Sequence, residues 1–249
     1  MSLIKSSSDI EKMRESGRIV ARTLRLVSQA IAPGVTPRQL NDMAEHLIRT
    51  EGGTPSFLGY RGYPAATCIS VNQVVVHGIP NDVPLKEGDI VSLDFGVHKE
   101  GWHADGAWTF PVGQISTPAQ KLLDVTREAL YEGIAKARAG NRIGDIGSAV
   151  QRRCEREGFG VVRKLVGHGI GRNLHDEPRN VPMYGKPKTG DPLRAGMTIC
   201  IEPMVNMGMA DVKTLPDKWT VVTVDGKLAA HFEHTIVVRD GEADILTVE

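Results

Sequence analysis

The sequence predicts an α+β protein made of two similar halves. Residues 85–96 (LKEGDIVSLDFG) resemble residues 193–204 (LRAGMTICIEPM), and residues 31–53 resemble residues 137–159 in the same order and at nearly the same offset. Each half also shows two amphipathic helix patterns followed by a β-rich stretch. Repeats of this length are not solenoid units, which are about 20 to 50 residues long. The duplication instead predicts two halves that pack around a pseudo-twofold axis, with a site where they meet.

A single domain is expected over residues 1–249, with its halves at about residues 8–113 and 117–249. No proline- or serine-rich linker separates the halves, and domain boundaries usually fall in such linkers. A chain of this length buries roughly 70 to 75% of the surface that its unfolded form exposes, so the core can hold a polar site.

The amino-acid composition indicates which binding partners and which cellular compartment to expect for this protein. The chain has 30 basic and 30 acidic residues, and this balance disfavours nucleic acid or an anionic membrane as the main partner. Cys68, Cys154 and Cys200 lie far apart without a CxxC pair, which disfavours a disulfide framework and favours a reducing compartment. The polar N-terminus does not resemble a signal peptide, and no apolar run approaches about 18 residues. We expect a cytoplasmic protein that binds neither nucleic acid nor a membrane.

Four helices are predicted, two at the start of each half. Residues 8–11 (SDIE) and 36–39 (TPRQ) match capping boxes, in which a hydroxyl side chain caps the first turn and an acidic or amide side chain closes it. Residues 117–120 (TPAQ) repeat the second of these signals before the third helix. The fourth helix is expected over residues 143–157, although two glycines lower its intrinsic helix propensity.

Each half then contains a β-rich stretch, residues 67–112 and 161–249, that presents a carboxylate. Asp94 and Glu202 occupy equivalent places in the repeat, and each ends a short apolar run that follows a glycine turn, so both are predicted in buried strands. A buried carboxylate destabilises the fold unless it is compensated. Two carboxylates at equivalent places predict a shared partner, and a metal ion is the simplest candidate.

Two further carboxylates and one imidazole complete the predicted ligand set. Asp105 follows Asp94 across a predicted hairpin with Gly101 in the turn, so both can face the same side of a sheet. Glu233 lies in the second half, and His168 lies between two glycines, where the backbone can pass close to another group. The alternative is that some of these carboxylates cap turns or pair with arginines.

The ligand set predicts the class of reaction. Four carboxylates and one imidazole are too many for one zinc ion, which usually takes four ligands, but they suit two ions about 3.5 to 4 Å apart. Oxygen ligands with one nitrogen favour manganese, iron, cobalt or zinc over calcium. The pattern therefore predicts metal-assisted hydrolysis, and it leaves open which bond is cut.

Five segments together resemble one known family. They are GYPAATCISVNQVVVHGIP, GDIVSLDFG, GHGIGRNLHDEP, AGMTICIEPM and FEHTIVV, in this order and over nearly the whole chain. In these segments the chain is similar to the type I methionine aminopeptidases, which remove the initiator methionine from new proteins. The resemblance implies a pita-bread fold, in which two pseudo-symmetric halves form a curved antiparallel sheet with outer helices. It also implies a monomer that acts on nascent peptides and prefers a small second residue.

The resemblance also implies roles for individual residues. Five residues match the family's ligands for two divalent metals: Asp94, Asp105, His168, Glu202 and Glu233. Asp105 and Glu233 would contact both metals. Glu202 would accept a proton from the attacking water and hand it to the leaving amine. His77 and His175 would stabilise the reacting carbonyl oxygen and the scissile nitrogen.

The family's apolar pocket for the methionine side chain also has matching residues in this chain. They are Tyr60, Tyr63, Cys68, Leu174 and Trp219. The chain departs from the common pattern at Phe57, where many bacterial relatives carry a cysteine at the pocket mouth, and at Gly106, where a threonine is often found. Phe57 is expected to narrow the entrance, and Gly106 is expected to alter metal affinity. Asn72 and Val74 match positions where relatives can bind a monovalent cation.

Three alternatives to this resemblance fit the sequence less well. Peptidases of the same fold that cut Xaa-Pro bonds usually carry an additional N-terminal domain, for which we expect no room before the first helix. The type II methionine enzymes carry a long insertion, but the segment from His168 to Glu202 is too short to contain it. Binding proteins that keep the fold lose the metal ligands, which are all present here.

A transient contact with the ribosome is expected, because the substrate emerges there, although no segment of the sequence is dedicated to this contact.

Overall fold

The computed structural model describes residues 3–249 and contains, in that part of the chain, four α-helices and three antiparallel sheets. The helices are α1 (Ser7–Ser28), α2 (Pro37–Thr50), α3 (Thr117–Ile134) and α4 (Ile143–Glu155), and a 3₁₀ turn covers Tyr60–Gly62. The strands are β1 (Thr54–Pro55), β2 (Cys68–Val71), β3 (Val74–Val76), β4 (Ile90–Lys99), β5 (Trp102–Pro111), β6 (Gly160–Val161), β7 (Gly167–Gly169), β8 (Asp176–Val181), β9 (Thr198–Ile201), β10 (Met204–Asn206), β11 (Val212–Thr214), β12 (Val221–Thr223), β13 (Ala229–His231), β14 (Glu233–Val237) and β15 (Asp244–Ile245). Two helices precede the main strands in each half, and the predicted α+β class is confirmed.

The start of α2 follows the predicted capping signal. The Thr36 hydroxyl accepts a hydrogen bond from the Gln39 N–H, and Gln39 Oε1 accepts one from the Thr36 N–H. This reciprocal pair satisfies two backbone donors that the first helical turn leaves free, and Pro37 needs no partner because it lacks an N–H.

The predicted caps of α1 and α3 are wrong by one or two residues. Ser6, rather than Ser8, caps α1, because its hydroxyl accepts from the Asp9 N–H while Asp9 Oδ2 accepts from the Ser6 N–H. Ser116, rather than Thr117, caps α3. Three hydroxyl residues stand in a row at the start of α1 and two at the start of α3, and each of them could cap a helix.

The hairpin of β4 and β5 carries the first two predicted ligands. Glu100 and Gly101 form its turn with φ of 51° and 83°, as a two-residue hairpin turn of type I′ requires. Asp94 pairs with Ala107, which lies two residues from Asp105 on β5. Since side chains alternate between the two faces of a strand, Asp94 and Asp105 face the same side, as predicted.

Strand β14 joins the two halves of the main sheet. It pairs with β5 of the first half on one side and with β9 of the second half on the other, in the order β1, β4, β5, β14, β9, β7, β8. Glu233 is the first residue of β14, and Glu202 directly follows Ile201, the last residue of β9. The prediction that Glu202 lies within a strand is therefore wrong by one residue. The ends of these strands bring carboxylates of both halves together.

The helices cover the sheet and bury its apolar side chains. Helices α1 and α2 pack on β4 and β5 through residues such as Val20, Leu40 and Phe95, while α3 and α4 pack on strands of the second half. Gly17 allows α1 to approach the C-terminal segment, because an added Cβ would overlap the Leu246 carbonyl.

Within residues 3–249, no helix has both the length and the apolar character needed to cross a membrane.

Candidate active site

Four carboxylates converge where the two halves meet. Asp94 and Asp105 come from the β4–β5 hairpin and are 8% and 4% exposed, and Glu233 of β14 is 3% exposed. The Glu202 side chain is 12% exposed. Carboxylate oxygens of Asp94, Asp105 and Glu233 lie within 4.8 Å of one another, so acids from the two halves share one site.

Several of these oxygens have no hydrogen-bond donor in the described part of the chain. They are one oxygen each of Asp94, Glu202 and Glu233. A buried acceptor without a partner is costly and rare in native proteins. Carboxylate oxygens are ligands of divalent metals, and cations would satisfy these acceptors, so the residues fit a metal site.

Glu233 is the common member of the candidate ligand groups. Besides its group with the two aspartates, its carboxylate lies within 4.8 Å of ligand atoms of His168 and Cys200, and within the same distance of Glu202 and His231. A residue shared by several groups is well placed to contact more than one ion.

Burial and like charge oppose the ionisation of these acids. Burial raises the pKa of Asp94, Glu202 and Glu233 well above the ordinary range, and the nearby carboxylates raise it further. Burial also raises the pKa of Asp105 to about 7, although hydrogen bonds from the Gly106 N–H and from Asp94 act in the other direction. Four carboxylates can be ionised together here when cations lie among them.

His168 presents one ring nitrogen to the acids. Its Nδ1 donates to the Gly169 carbonyl oxygen at 2.9 Å, which leaves the lone pair of Nε2 free, 3.7 Å from Glu202 Oε1. Burial lowers the pKa of His168 to about 3, so the ring is neutral at pH 7. The predicted close approach of the backbone is confirmed, because an added Cβ at Gly169 would overlap the Glu177 carbonyl.

His77 and His175 line the same cavity as the carboxylates. His77 has a φ of 57°, a conformation that is uncommon outside glycine and that occurs often at functional sites. Burial lowers its pKa to about 4. Nδ1 of His175 forms a hydrogen bond of 2.8 Å with the Tyr60 hydroxyl, and burial followed by the charge of Arg61 lowers the pKa of His175. Both rings are therefore neutral at pH 7 and offer one N–H each.

A cavity of about 200 Å³ adjoins the carboxylates. The structure brings the predicted catalytic, metal and pocket residues together around it: Phe57, Tyr60, Tyr63, Cys68, His77, Asp94, Asp105, His168, Leu174, His175, Glu202, Trp219 and Glu233. One wall is held firmly, because the Tyr63 hydroxyl lies at hydrogen-bond distance from the carbonyl oxygens of Thr67 and Gly78. Trp219 packs edge-on against Tyr63, with ring centroids 5.1 Å apart.

The two departures from the family pattern have defined surroundings. Phe57 is 9% exposed and packs over Gly96, where an added Cβ would lie 2.7 Å from its ring. The Gly106 N–H donates to Asp105 Oδ1 at 3.0 Å. An added Cβ at Gly106 would lie 3.0 Å from Val20 Cγ1, so α1 packs more tightly there than a threonine would allow without adjustment.

The predicted monovalent-cation position at Asn72 and Val74 does not line this cavity. The Asn72 side chain instead holds the start of β4, since its Oδ1 accepts from the Ile90 N–H and its Nδ2 donates to Asp89. A cation at this position stays a prediction.

Two polar residues of the cavity wall, His231 and Arg61, were missed in the sequence, as were four apolar ones: Val76, Leu165, Val166 and Met204. His231 is buried, and its Nε2 has no partner among the described residues and lies 3.8 Å from Glu202 Oε2. It precedes Glu233 by two residues, a strand spacing that could have indicated it. Arg61 lies in a turn with no recognisable motif, and its guanidinium carbon is 5.3 Å from the centroid of the Tyr60 ring.

Comparisons with known proteins agree over nearly the whole chain. The Metallopeptidase family M24 profile matches residues 11–240. "Methionine aminopeptidase 1" of Bacillus subtilis is 49% identical over 247 residues, which are 99% of each chain. The crystal structure of a methionine aminopeptidase from Thermotoga maritima has a TM-score of 0.97 at 46% identity and covers 99% of each chain.

A prolidase from Pyrococcus furiosus has a TM-score of 0.81 at 21% identity, over 99% of this chain and 66% of that one. At this identity the likeness shows the fold alone, and together with the Thermotoga structure it confirms the predicted pita-bread architecture. The family match likewise confirms that the protein is a hydrolase of peptides that uses divalent metal. The chain belongs to metallopeptidase family M24 and, within that family, to the methionine aminopeptidases.

Proposed function

We propose that this protein removes the N-terminal methionine from peptides and nascent proteins by hydrolysing their first peptide bond. The observation that supports this most directly is the convergence of four carboxylates and His168 beside a cavity with apolar walls. The relatives named methionine aminopeptidase support the choice of substrate.

The ligands of two divalent metals would be Asp94, Asp105, His168, Glu202 and Glu233. Metals bound there would activate a water molecule and polarise the scissile carbonyl. Glu233 would contact both ions, as its place in each candidate ligand group suggests, and Asp105 would be the second shared ligand. The same donors suit manganese, iron, cobalt and zinc.

Glu202 is the proposed general base and acid. It is less deeply buried than the other three carboxylates, and burial raises its pKa well above the ordinary value. A carboxyl group with a raised pKa can accept a proton and return it near neutral pH. Glu202 would take the proton of the attacking water and then protonate the leaving amine.

His77 and His175 would bind the reacting peptide group. When the Tyr60 hydroxyl donates to Nδ1 of His175, the ring carries its proton on Nε2 and can donate it to the substrate. A neutral imidazole donor of this kind stabilises the negative charge that develops on the carbonyl oxygen. His77 would hold the scissile nitrogen.

The walls around Tyr63, Cys68, Leu174 and Trp219 would bind the methionine side chain, whose flexible thioether adapts to an irregular apolar pocket. Phe57 would narrow the entrance. Because the two histidines would flank the first peptide bond, we further propose that small second residues are preferred.

Hydrolysis of short peptides tests the function. Metal-loaded protein should release methionine from Met-Ala-Ser and should leave Ala-Pro-Ala intact, and the purified protein should hold about two metal ions per chain. Cleavage of Ala-Pro-Ala alone would assign the protein to the Xaa-Pro peptidases, and the absence of both metal and cleavage would indicate a binding protein.

The peptide Met-Leu-Ser tests the proposed preference for a small second residue. It should be hydrolysed more slowly than Met-Ala-Ser, and equal rates on the two peptides would contradict the preference.

We also propose that the protein works as a cytoplasmic monomer and contacts the ribosome transiently while nascent chains emerge. The equal number of acidic and basic residues supports a protein without a strong affinity for nucleic acid. Size-exclusion chromatography and co-sedimentation with translating ribosomes measure these two properties.

A further inference from the structure

Arg61 supplies a positive charge to the wall of the cavity that adjoins the carboxylates. Within residues 3–249 it is the one lysine or arginine that lines this cavity, and its side chain is exposed whereas Asp94, Asp105 and Glu233 are buried. A peptide whose first residue reaches the carboxylates must leave the cavity at its exposed end. The guanidinium therefore lies on the route of the following residues.

The guanidinium has no acidic partner among the described residues. Other arginines of the chain, such as Arg14 and Arg153, form ion pairs with carboxylates. The contact of Arg61 is with the ring of Tyr60, 5.3 Å from its guanidinium carbon. Contact with one face of an aromatic ring leaves the edge of the guanidinium and its donors free to bind a planar carboxylate.

The backbone at this position also favours a residue other than arginine. Arg61 has φ 49° and ψ 26°, a left-handed conformation that glycine and asparagine adopt far more readily. Gly59 and Gly62 on either side also have positive φ, of 79° and 87°. A strained backbone that carries a long cationic side chain into a substrate cavity suggests a function for that side chain.

The position of Arg61 relative to the pocket indicates which substrate residue it meets. In an extended peptide, the side chains of residues one and three project to the same face, about 7 Å apart. The first side chain would enter the pocket whose wall includes Tyr60 and Tyr63, and Arg61 follows Tyr60 on that wall. The third side chain would therefore point towards the guanidinium.

We propose that Arg61 binds a carboxylate at residue three of the substrate, so that the enzyme favours sequences such as Met-Ala-Glu. This inference rests on the proposed function, because it concerns the same cavity. An exposed ion pair of this kind contributes modestly, and we expect a two- to fivefold effect, by order of magnitude, on kcat/KM.

Three amidated peptides test the proposal without the charge of a free C-terminus: Met-Ala-Glu-Ser, Met-Ala-Gln-Ser and Met-Ala-Lys-Ser. On the metal-loaded enzyme at low salt, kcat/KM should be highest for the Glu peptide and lowest for the Lys peptide. High salt should reduce the difference, because it screens exposed charges. Arg61→Gln should make the Glu and Gln peptides equivalent, and Arg61→Glu should reverse the order.

Arg172→Gln is the matched control. The Arg172 guanidinium is exposed and also packs on an aromatic ring, 4.5 Å from the centroid of Trp102, but Arg172 does not line the cavity. This variant should keep the preference for the Glu peptide. Comparing peptides within one variant cancels any general loss of activity.

The outcomes separate this proposal from the function on which it rests. If the enzyme hydrolyses all three peptides at the same rate, or if Arg61→Gln keeps the preference for glutamate, the role of Arg61 is overturned and the aminopeptidase function stands. If no methionyl peptide is hydrolysed, both are overturned.

Discussion

Glu202 is less deeply buried than the other three carboxylates of the site. We expect Glu202→Gln to keep the fold, because the amide has nearly the same shape. It should lower kcat/KM by about 10² to 10⁴, the usual contribution of a general acid–base group. Peptide hydrolysis, with circular dichroism and metal content measured on the same sample, checks this expectation.

His77→Ala is the comparison for that experiment. It removes a proposed hydrogen bond to the substrate but no proton carrier, so it should lose less activity than Glu202→Gln. A fully active Glu202→Gln enzyme that still binds its metals would contradict the assigned role.

Single site residues could be predicted from the sequence where both the residue type and its position in a strand pattern indicated a role. Asp94 and Glu202 were identifiable because a carboxylate at the end of an apolar run needs a partner. Arg61 could not be identified in this way, since an arginine in a turn is ordinary, and only the folded chain shows that it lines the cavity. His231 fell between these cases, because it precedes Glu233 by two residues, a spacing that places side chains on one face of a strand, but histidines next to a carboxylate also occur in ordinary polar strands.

Among the elements, β7 depends on close contact between backbones. We expect Gly169→Ala to destabilise the protein by about 1 to 3 kcal/mol, the usual cost of overpacking. The added Cβ would overlap the Glu177 carbonyl and lie 2.7 Å from Pro178 N, and backbone cannot move aside as a flexible side chain can. Displacing this strand should also shift His168 and weaken metal binding. Thermal unfolding and metal titration measure the two effects.

Gly241→Ala is the control for this change. No atom lies within 4 Å of an added Cβ at Gly241, and its φ is not in the left-handed region. It should therefore change stability and metal affinity little. A stable Gly169→Ala protein with full metal affinity would show that β7 tolerates a wider separation from β8.

The number and order of the helices could be predicted, but not each of their first residues. Apolar periodicity extends over many residues and identifies a helix reliably, whereas a cap depends on which of several hydroxyls receives a backbone N–H. Thr36 stands next to proline without a competing hydroxyl, so its cap was predicted correctly. Ser6, Ser7 and Ser8 compete at the start of α1, and the sequence does not decide among them.

Across the whole molecule, Asp244 connects the N-terminal helix to the C-terminal segment. Its carboxylate accepts hydrogen bonds from Arg14 and Arg239, at 2.7 and 3.0 Å for the shortest pairs. Partial burial acts to raise the pKa of Asp244, but the two guanidiniums outweigh it, and the pKa lies below the ordinary 3.8. A group with a lowered pKa in the folded state contributes stability above its unfolded pKa and loses it as the pH falls through its folded value.

Asp244→Asn should therefore lower the melting temperature most at neutral pH. The difference from the parent should shrink as the pH falls below about 4, where Asp244 of the parent also becomes neutral. Thermal unfolding over a pH series measures this difference. A gap that stays constant down to the lowest pH would show that the carboxylate charge contributes nothing to the connection.

The pairing of β14 with strands of both halves could not be predicted from local sequence patterns. The repeat indicated two similar halves, but strand pairing across such a sequence distance depends on the whole fold. Because β14 lies between β5 and β9, Glu233 stands between ligands of both halves. Its central position among the candidate ligand groups follows from this pairing rather than from its neighbours in sequence.

The position of Glu233 leads to opposite expectations with and without metal. At about pH 8 the unfolded chain holds its carboxylates ionised in water, whereas the folded chain without metal must bury charges close together or retain protons, and both destabilise it. Glu233→Gln removes one of these charges, so with a chelator the variant should melt at a higher temperature than the parent. With manganese or cobalt the order should reverse, because a ligand that binds only the folded state stabilises it in proportion to its affinity. Differential scanning fluorimetry under both conditions measures this, and a variant that melts below the parent under both would show that the carboxylate stabilises the fold without metal.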